Sequence, residues 1–361
     1  MRASEGRGDP SGFGVKTAGR HRMDDLLTMT PQGLFCARGG FHVDPWAPVS
    51  RAVLTHAHAD HAREGSEAYL CAAPGLPIVR YRLPGTVIEA WQYGERHTMG
   101  DVQLSFHPAG HVLGSAQLRI EAGGEVWVVS GDYKRALDPT CAPFEPLRAD
   151  VFLTEATFGL PVFRWDPTSS VIEDLLGWWE ANREVGRASL VFSHVLGKSQ
   201  RLLAELALRT DRRVFAHGAI AGMCEVYRDA GVKLLPVDRV ADTAKGKDFA
   251  GELVLAPITA RGTTWMRRFG DAAVALVSGF MRVRGERRRR SVDRGFVLSD
   301  HADWPALLET IRETGAGRVL VTHGYAVPLA HHLTDSGLEA EALETPYGRD
   351  QEERVTGEEA R

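Results

Sequence analysis

The stretch Leu54–Ala62 reads Leu-Thr-His-Ala-His-Ala-Asp-His-Ala, and it constrains this chain more than any other. His56, His58, Asp60 and His61 fall within six residues, directly after the apolar run Ala52-Val53-Leu54. Crowding such side chains is costly, because protonated imidazoles repel one another and neutral ones need partners for both ring nitrogens. A divalent cation removes both difficulties by taking a lone pair from each ligand. In an extended or tightly turned backbone, positions 56 and 58 point to one side, while 60 and 61 swing towards a neighbouring point. One short loop can therefore serve two adjacent metal positions. The competing reading, a polar His-rich surface loop, leaves the later clusters of the chain without an explanation.

Composition narrows the classes. At 361 residues the chain can form one large α/β unit or two domains. A hydrophobic share of 43% and a charged share of 25% are ordinary for a soluble globular protein. The formal net charge of −4 provides no global basic field, so contact with nucleic acid has to come from a local patch. Cys36, Cys71, Cys141 and Cys224 stand far apart without a Cys-x-x-Cys pair. That speaks against a zinc ribbon or a disulfide framework and fits a reducing, cytoplasmic setting. No apolar run approaches the roughly 18 residues needed to cross a bilayer. No apolar stretch of the secretory kind opens the sequence. Residues 1–22, rich in Gly, Arg and Ser, read as a disordered leader, and Met23 would also begin the folded part. Residues 346–361 read as a frayed acidic tail.

The rhythm of the chain changes once. Gly33–Cys36, Phe41–Asp44 and Ala52–Leu54 read as short strands, as do Tyr69–Cys71 and Pro77–Val79. Asp60–Gly65 reads as a helix start or its cap. Val102–Phe106 alternates as a strand, and Ser115–Glu121 and Glu125–Ser130 alternate around Gly123-Gly124, a hairpin signal. Val151–Thr154 is an apolar strand ending at Glu155. From Thr168 onward strands and helices alternate: helix 168–182 with Thr168 or Ser169 as cap, strand 189–192, helix 200–208, strand 213–216, helix 220–230, strand 253–256. That alternation predicts a parallel α/β layer. Strands at 274–277, 296–298 and 318–322 and a helix over 304–314 follow.

Several polar residues share one expected position, the C-terminal end of an apolar strand: His56–His61, Asp132, Glu155 and His323. His111 closes a loop between two strands, and His301 follows Leu298. A rigid sheet holds such side chains while leaving them reachable. His-Ala-His-Ala-Asp-His, then Gly110–Ala116 (Gly-His-Val-Leu-Gly-Ser-Ala) and Ser130–Tyr133 (Ser-Gly-Asp-Tyr), resembles the metallo-β-lactamase superfamily. Leu153–Gly159 around Glu155, Leu298–Asp303 around His301 and Val321–Tyr325 around His323 resemble the three motifs of its nucleic-acid-processing β-CASP branch. Within that branch the sequence is most similar to the bacterial ligase-associated DNA exonucleases, from about Leu27 to Glu339. Asp44-Pro45-Trp46 and Arg294–Leu298 share in this likeness.

The resemblance implies an αββα metallo-β-lactamase sandwich in two stretches, 23–165 and 275–345, interrupted by a β-CASP α/β insertion over 166–274. It implies that His56, His58 and His111 hold one divalent metal, and Asp60, His61 and His323 a second, with Asp132 bridging. Zinc or manganese suits this nitrogen and oxygen donor set, and iron is not excluded by it. Asp60 would orient or deprotonate the attacking water, and His301 would protonate or polarise the leaving oxygen. Glu155 would fix an imidazole, His323 or His301, from behind. The implied activity is DNA exonuclease action in repair, with an ATP-dependent DNA ligase and a helicase as functional partners. The alternatives are an RNA-processing nuclease, a small-molecule thioesterase or lactamase, and a silent nucleic-acid-binding subunit.

Contacts to the nucleic-acid chain are sought in two places. Ser193–Ser199 ends in Gly-Lys-Ser, but position 192 is Phe where an ATP-binding loop of this type needs Gly. Ser193, Lys198 and Ser199 are read instead as phosphate contacts at a helix start, against the alternative of a plain strand-to-helix connection. Arg282, Arg284 and Arg287–Arg290 form the dense basic patch, read either as a solvated charge run or as a track leading a backbone towards the metals. Trp91, Trp165, Trp265 and Trp304 are candidates for base stacking, although most buried tryptophans serve the core.

Overall fold

The computed structural model describes residues 25–283 and 292–345, a mixed α/β chain built on three sheets. The first sheet takes β1 (Thr28–Thr30), β2 (Gly33–Cys36), β3 (Phe41–Val43), β4 (Arg51–Val53), β5 (Ala68–Ala72) and β6 (Ile88–Trp91) in that order. Its first two pairings are antiparallel and the rest parallel. The second sheet begins with β7 (His97–Met99), β8 (Val102–Pro108), β9 (Ala116–Ala122), β10 (Glu125–Val129) and β11 (Val151–Glu155). The third is wholly parallel: β12 (Ser189–Ser193), β13 (Val214–Ala216), β14 (Val237–Arg239), β15 (Leu253–Pro257), β16 (Ala273–Val277) and β17 (Arg294–Phe296), in the spatial order 14-13-15-12-16-17. The chain then returns to the second sheet, laying β18 (Arg318–Thr322) beside β11 and β19 (Glu339–Ala342) beside β18.

Side-chain alternation along the strands explains the layers. On β5, Leu70 and Ala72 join a core shared with Leu104, Leu118, Ile120 and Leu153 of the second sheet, so these two sheets bury one face against each other. Tyr69 and Cys71 point the opposite way. There they meet α1 (Leu76–Arg82) and the helices α2 (Thr168–Glu184), α3 (Lys198–Ala207) and α4 (Gly218–Asp229) that flank the third sheet. On the third sheet Val191, Leu253 and Leu255 face those helices, while Leu190, Phe192, Val254 and Ala256 enter a separate core. The outer face of the second sheet is covered by α5 (Trp304–Thr314) and α6 (Ala326–Asp335) through Leu307, Ile311, Leu329 and Leu333. The hairpin between β9 and β10 turns on Gly123 and Gly124, at φ 62° and 86°, angles that two-residue hairpins require and β-carbons resist.

Four local expectations are corrected. Pro77–Val79 lies in α1 rather than in a strand. Pro77 sits in the first turn, where a missing N–H costs nothing, and Ile78, Val79 and Leu83 supply a buried helical face. Asp60–Gly65 starts no helix, because the N–H groups of His61 and Ala62 both return to the carbonyl of His58 in a tight turn. Neither Thr168 nor Ser169 caps α2. Pro167 occupies that place, and the Thr168 hydroxyl accepts from Arg201 Nη2 at 2.8 Å. The division at 274/275 falls inside β16, and β16 and β17 extend the third sheet.

Candidate metal centre

Strand register assembles the site. β10, β11 and β18 run parallel, with Val129 opposite Leu153, Leu153 opposite Leu320 and Glu155 opposite Thr322. Their C-terminal ends share one edge, so Asp132, Glu155 and His323 follow from neighbouring points on it. β4 delivers Leu54–His61 to the same edge, where the Ala116 N–H donates to Thr55 O at 2.8 Å. His111 arrives from the β8–β9 connection. His323 sits at φ 59°, a left-handed angle that a non-glycine residue holds only under constraint. The next residue must be glycine: a β-carbon on Gly324 would lie 2.5 Å from Ala156 O.

The ring nitrogens converge. His58 Nδ1 lies 2.9 Å from His56 Nε2 and 3.0 Å from His111 Nε2. A single oxygen, Asp132 Oδ2, faces this trio and the second group, 3.6 Å from His56 Nε2 and 3.5 Å from His61 Nε2. His61 Nε2 also stands 3.6 Å from Asp60 Oδ2, and the His61 ring stacks on His323 with centroids 5.3 Å apart. Asp132 further approaches His301 Nδ1, which bonds both Glu155 oxygens at 2.9 and 3.1 Å. The groups {His56, His58, His111, Asp132}, {Asp60, His61, His323} and {Asp132, Glu155, His301} each bring donor atoms close enough to share an ion.

Electrostatics follow from burial. Burial pushes His56 and His111 well below the usual imidazole range, and His58 down to about 4, so all three are neutral donors at pH 7. His61 goes the other way: burial alone would lower it, yet Asp60, Asp132 and Asp44 hold it well above that range. Asp132 is held well below the carboxylate range by His61 and His301 against its own burial. A divalent cation suits this set. Among the described residues no hydrogen bond is made by the buried His61 Nε2, which faces Asp132 at 3.5 Å and Asp60 at 3.6 Å, while its other nitrogen is committed to Asp44 Oδ2 at 2.7 Å. The outer nitrogens of the remaining rings are likewise tied: His56 to Thr55 Oγ1 (3.1 Å), His58 to Leu196 O (3.3 Å), His111 to Asp300 O (2.7 Å) and His323 to Thr322 Oγ1 (3.0 Å). That pattern orients inner lone pairs towards a common point.

No family model matches the chain. It is 31% identical over 314 residues to a probable DNA ligase of Opitutus terrae, covering 86% of this chain and 30% of that protein. It is 32% identical over 122 residues to the endoribonuclease ysh1 of Aspergillus fumigatus, covering 32% of this chain and 14% of that protein. A ribonuclease of Thermus thermophilus is 27% identical over 218 residues, with 53% of this chain and 48% of that protein covered. The chain thus spans less than a third of the length of the first two relatives. A solved structure of a protein of unknown function from Enterococcus faecalis V583 matches with a TM-score of 0.54 at 12% identity, over 82% of this chain and 80% of that one, a likeness of fold alone. These likenesses stand beside the Leu54–Ala62 loop and the Glu155, His301 and His323 motifs, of which Glu155 and His323 lie at adjoining ends of β11 and β18. The chain resembles the β-CASP branch of the metallo-β-lactamase superfamily.

The Glu155 carboxylate pairs with His301 rather than with His323, and its Oε1 also accepts the Tyr133 N–H at 2.8 Å. The phosphate contacts expected at Ser193 and Ser199 are corrected. Both side chains are fully buried, their hydroxyls 2.7 Å apart, and Ser199 Oγ donates to His194 O. The turn offers no free anion nest either, since Gly197 N–H donates to Gln200 Oε1 and Lys198 N–H to Leu196 O. Lys198 is buried with its ammonium 4.0 Å from Asp300 Oδ2, so a plain strand-to-helix connection describes the turn. Arg282 pairs with Asp166 at 3.0 Å; Arg284 and Arg287–Arg290 lie outside the described residues. Trp91 and Trp304 are core side chains. Trp265 packs on His217 and Phe269. Trp165 donates from Nε1 to His301 O at 2.9 Å beside Phe158.

Sequence reasoning missed the outer partners. Asp44 accepts from Thr55 N, Thr55 Oγ1 and His61 Nδ1 at 2.8, 2.6 and 2.7 Å. The hint was Asp44 standing before Pro45, a place that favours extended backbone, yet held at φ 42°. Asp300, beside His301, carries the carbonyl that holds His111. No helix among the described residues is long and apolar enough to cross a membrane.

Proposed function

We propose that this protein is a metal-dependent phosphodiester hydrolase acting on nucleic acid, and that its architecture is the αββα sandwich with a β-CASP insertion. In this reading the first two sheets with α5 and α6 form the body, and the insertion runs from 166 to about 297, because β16 and β17 belong to the third sheet. The observation that carries the reading is the convergence of five imidazoles and two carboxylates on both sides of Asp132 Oδ2, with the His301–Glu155 pair alongside. Two divalent cations there, zinc or manganese by the donor set, would polarise the phosphodiester and activate water at neutral pH. Asp60, on the His61 side, takes the proton of the attacking water. His301, braced by Glu155, delivers one to the leaving oxygen.

DNA is the substrate we infer first, in an exonuclease of repair. The supporting fact is that the match covering most of this chain is to a protein named a probable DNA ligase. Only 30% of that protein is matched, so ligation itself is not carried over. RNA is the second reading, favoured by relatives named endoribonuclease and ribonuclease. Metal analysis of the purified protein, joined to digestion of 5′- and 3′-labelled DNA and RNA strands, tests both. Stepwise shortening of DNA with about two metals per chain is the expected result. Degradation of RNA alone would overturn the DNA reading. Turnover of a thioester with both nucleic acids intact would overturn the nuclease reading.

A further inference from the structure

We infer that the segment bearing the third sheet is the outer clamp of the metal position formed by His56, His58 and His111, with Arg201 as its positioning residue. The inference rests on the metal-centre reading above. His58 and His111 belong to loops of the first two sheets, and nothing local binds them to residues 189–207. Yet the outer nitrogen of His58 meets Leu196 O, just past β12, at 3.3 Å. That of His111 meets Asp300 O at 2.7 Å, and α3 grips Asp300 and its neighbour from the other side. Arg201 Nη1 donates to Ser299 O at 2.6 Å and to Asp300 Oδ1 at 3.1 Å. Lys134 completes the knot, 2.5 Å from Asp138 Oδ2 and 3.8 Å from Asp300 Oδ1, while Arg201 Nε lies 3.6 Å from Asp138 Oδ2. Arg201, Lys134, Asp138 and Asp300 are all buried, so solvent does not screen the knot. Gly197 allows the close seating: a β-carbon there would lie 2.4 Å from Val112 Cγ1, beside His111.

An outer hydrogen bond fixes which ring nitrogen presents its lone pair and where it points. The inserted segment braces one of the three imidazoles directly, His58 through Leu196 O, and a second at one remove, His111 through Asp300, which Arg201 holds. Metal binding there must, by linkage, tighten that seating in return. The other position differs: the outer partners of His61 and His323 are Asp44 and Thr322, both from the first two sheets. The two metal positions should therefore respond unequally to a disturbance of α3.

Arg201→Lys keeps the charge but loses the fork that spans Ser299 O and Asp300 Oδ1. Titrating metal-free protein with Zn²⁺ against a chromophoric chelator should show one binding step weakened roughly 10–100-fold and the other unchanged. Arg213→Ala, which removes an exposed pair with Asp238 on the third sheet, should leave both steps alone. Amide exchange on the wild type supplies a measurement independent of the variant's folding: Zn²⁺ should raise protection over residues 196–205. A folded Arg201→Lys with both steps as in wild type, both steps equally weakened, or no gain of protection in wild type would each overturn the inference alone. A wild type that takes up no divalent cation would overturn the metal-centre reading with it.

Discussion

Glu155→Gln is the sharpest test of the proposed chemistry. The carboxylate is buried and faces His301 Nδ1 with both oxygens, at 2.9 and 3.1 Å, while Oε1 also accepts the Tyr133 N–H at 2.8 Å. Glutamine keeps the shape and one acceptor. If its oxygen stays on Tyr133, its amide N–H groups point at His301 Nδ1, a donor facing a donor. The ring must then leave or present Nδ1 unprotonated, and a cationic imidazole there loses the nearer of its counter-charges, with Asp132 still at 3.9 Å. A hydrogen bond to a charged group contributes about 1.5–3 kcal/mol. At roughly 1.4 kcal/mol per tenfold, that difference predicts a kcat lower by about 10–150-fold. Metal content and KM should hold, because in the two-cation reading Glu155 and His301 hold no ion and His301 acts on the leaving group. Single-turnover digestion of a labelled strand, with metal content measured on the same preparation, reads this directly. His301→Ala should lose at least as much activity and keep its metal. A Glu155→Gln enzyme with kcat within threefold of wild type, or one stripped of metal, would refute the role assigned to this pair.

Three further outcomes are expected. Asp132→Ala removes the oxygen between the two groups of donors and should abolish turnover and lower metal content; retention of both metals would refute the bridge. Asp44→Asn places an amide against either His61 Nδ1 or the Thr55 N–H, which favours the wrong His61 tautomer, and should weaken one Zn²⁺ step about 10–100-fold, read by titration. Acid should destabilise the metal-free protein. The folded value of His58 is about 4 against about 6.5 unfolded, so between these pH values the unfolded chain binds the extra proton and stability drops as pH falls, by about 3 kcal/mol for this residue. His56 and His111 act in the same direction. His61, raised instead, stabilises below its unfolded value and changes little across this window. A melting temperature flat from pH 7 to pH 4.5 would refute the neutral, buried state of these rings.

The elements of the fold were legible wherever local pattern and packing agree. The alternation over 168–256 announced the parallel layer, and Gly123-Gly124 announced its hairpin. The candidate site residues were legible as types, and the fold does bring these histidines and carboxylates together. Pro77–Val79 misled because a short apolar run is compatible with helix or strand, and here the face exposed towards α4 and the third sheet decides. Ser193, Lys198 and Ser199 misled for a related reason. A Gly-Lys-Ser turn looks like an anion cradle in isolation, but its hydroxyls and N–H groups are used internally once α3 packs.

What could not be read is the outer support of the candidate metal ligands, and the reason is physical. His58 leans on a backbone carbonyl 138 residues away and His111 on one 189 residues away. Every residue type supplies a carbonyl, so neither contact leaves a trace in composition, spacing or periodicity. Only the fold brings Leu196 and Asp300 to those rings, and the side chain that secures Asp300 is an arginine on α3 that resembles any other helical arginine. On the metal-centre reading, the His-x-His-x-Asp-His loop supplies donors to the proposed centre but does not by itself set its affinity. A chain could keep every inner ligand and still lose a metal through a change at Arg201 or Gly197. Intact ligands in a sequence therefore argue for a metal centre, whereas its affinity has to be argued from what holds the rings from behind.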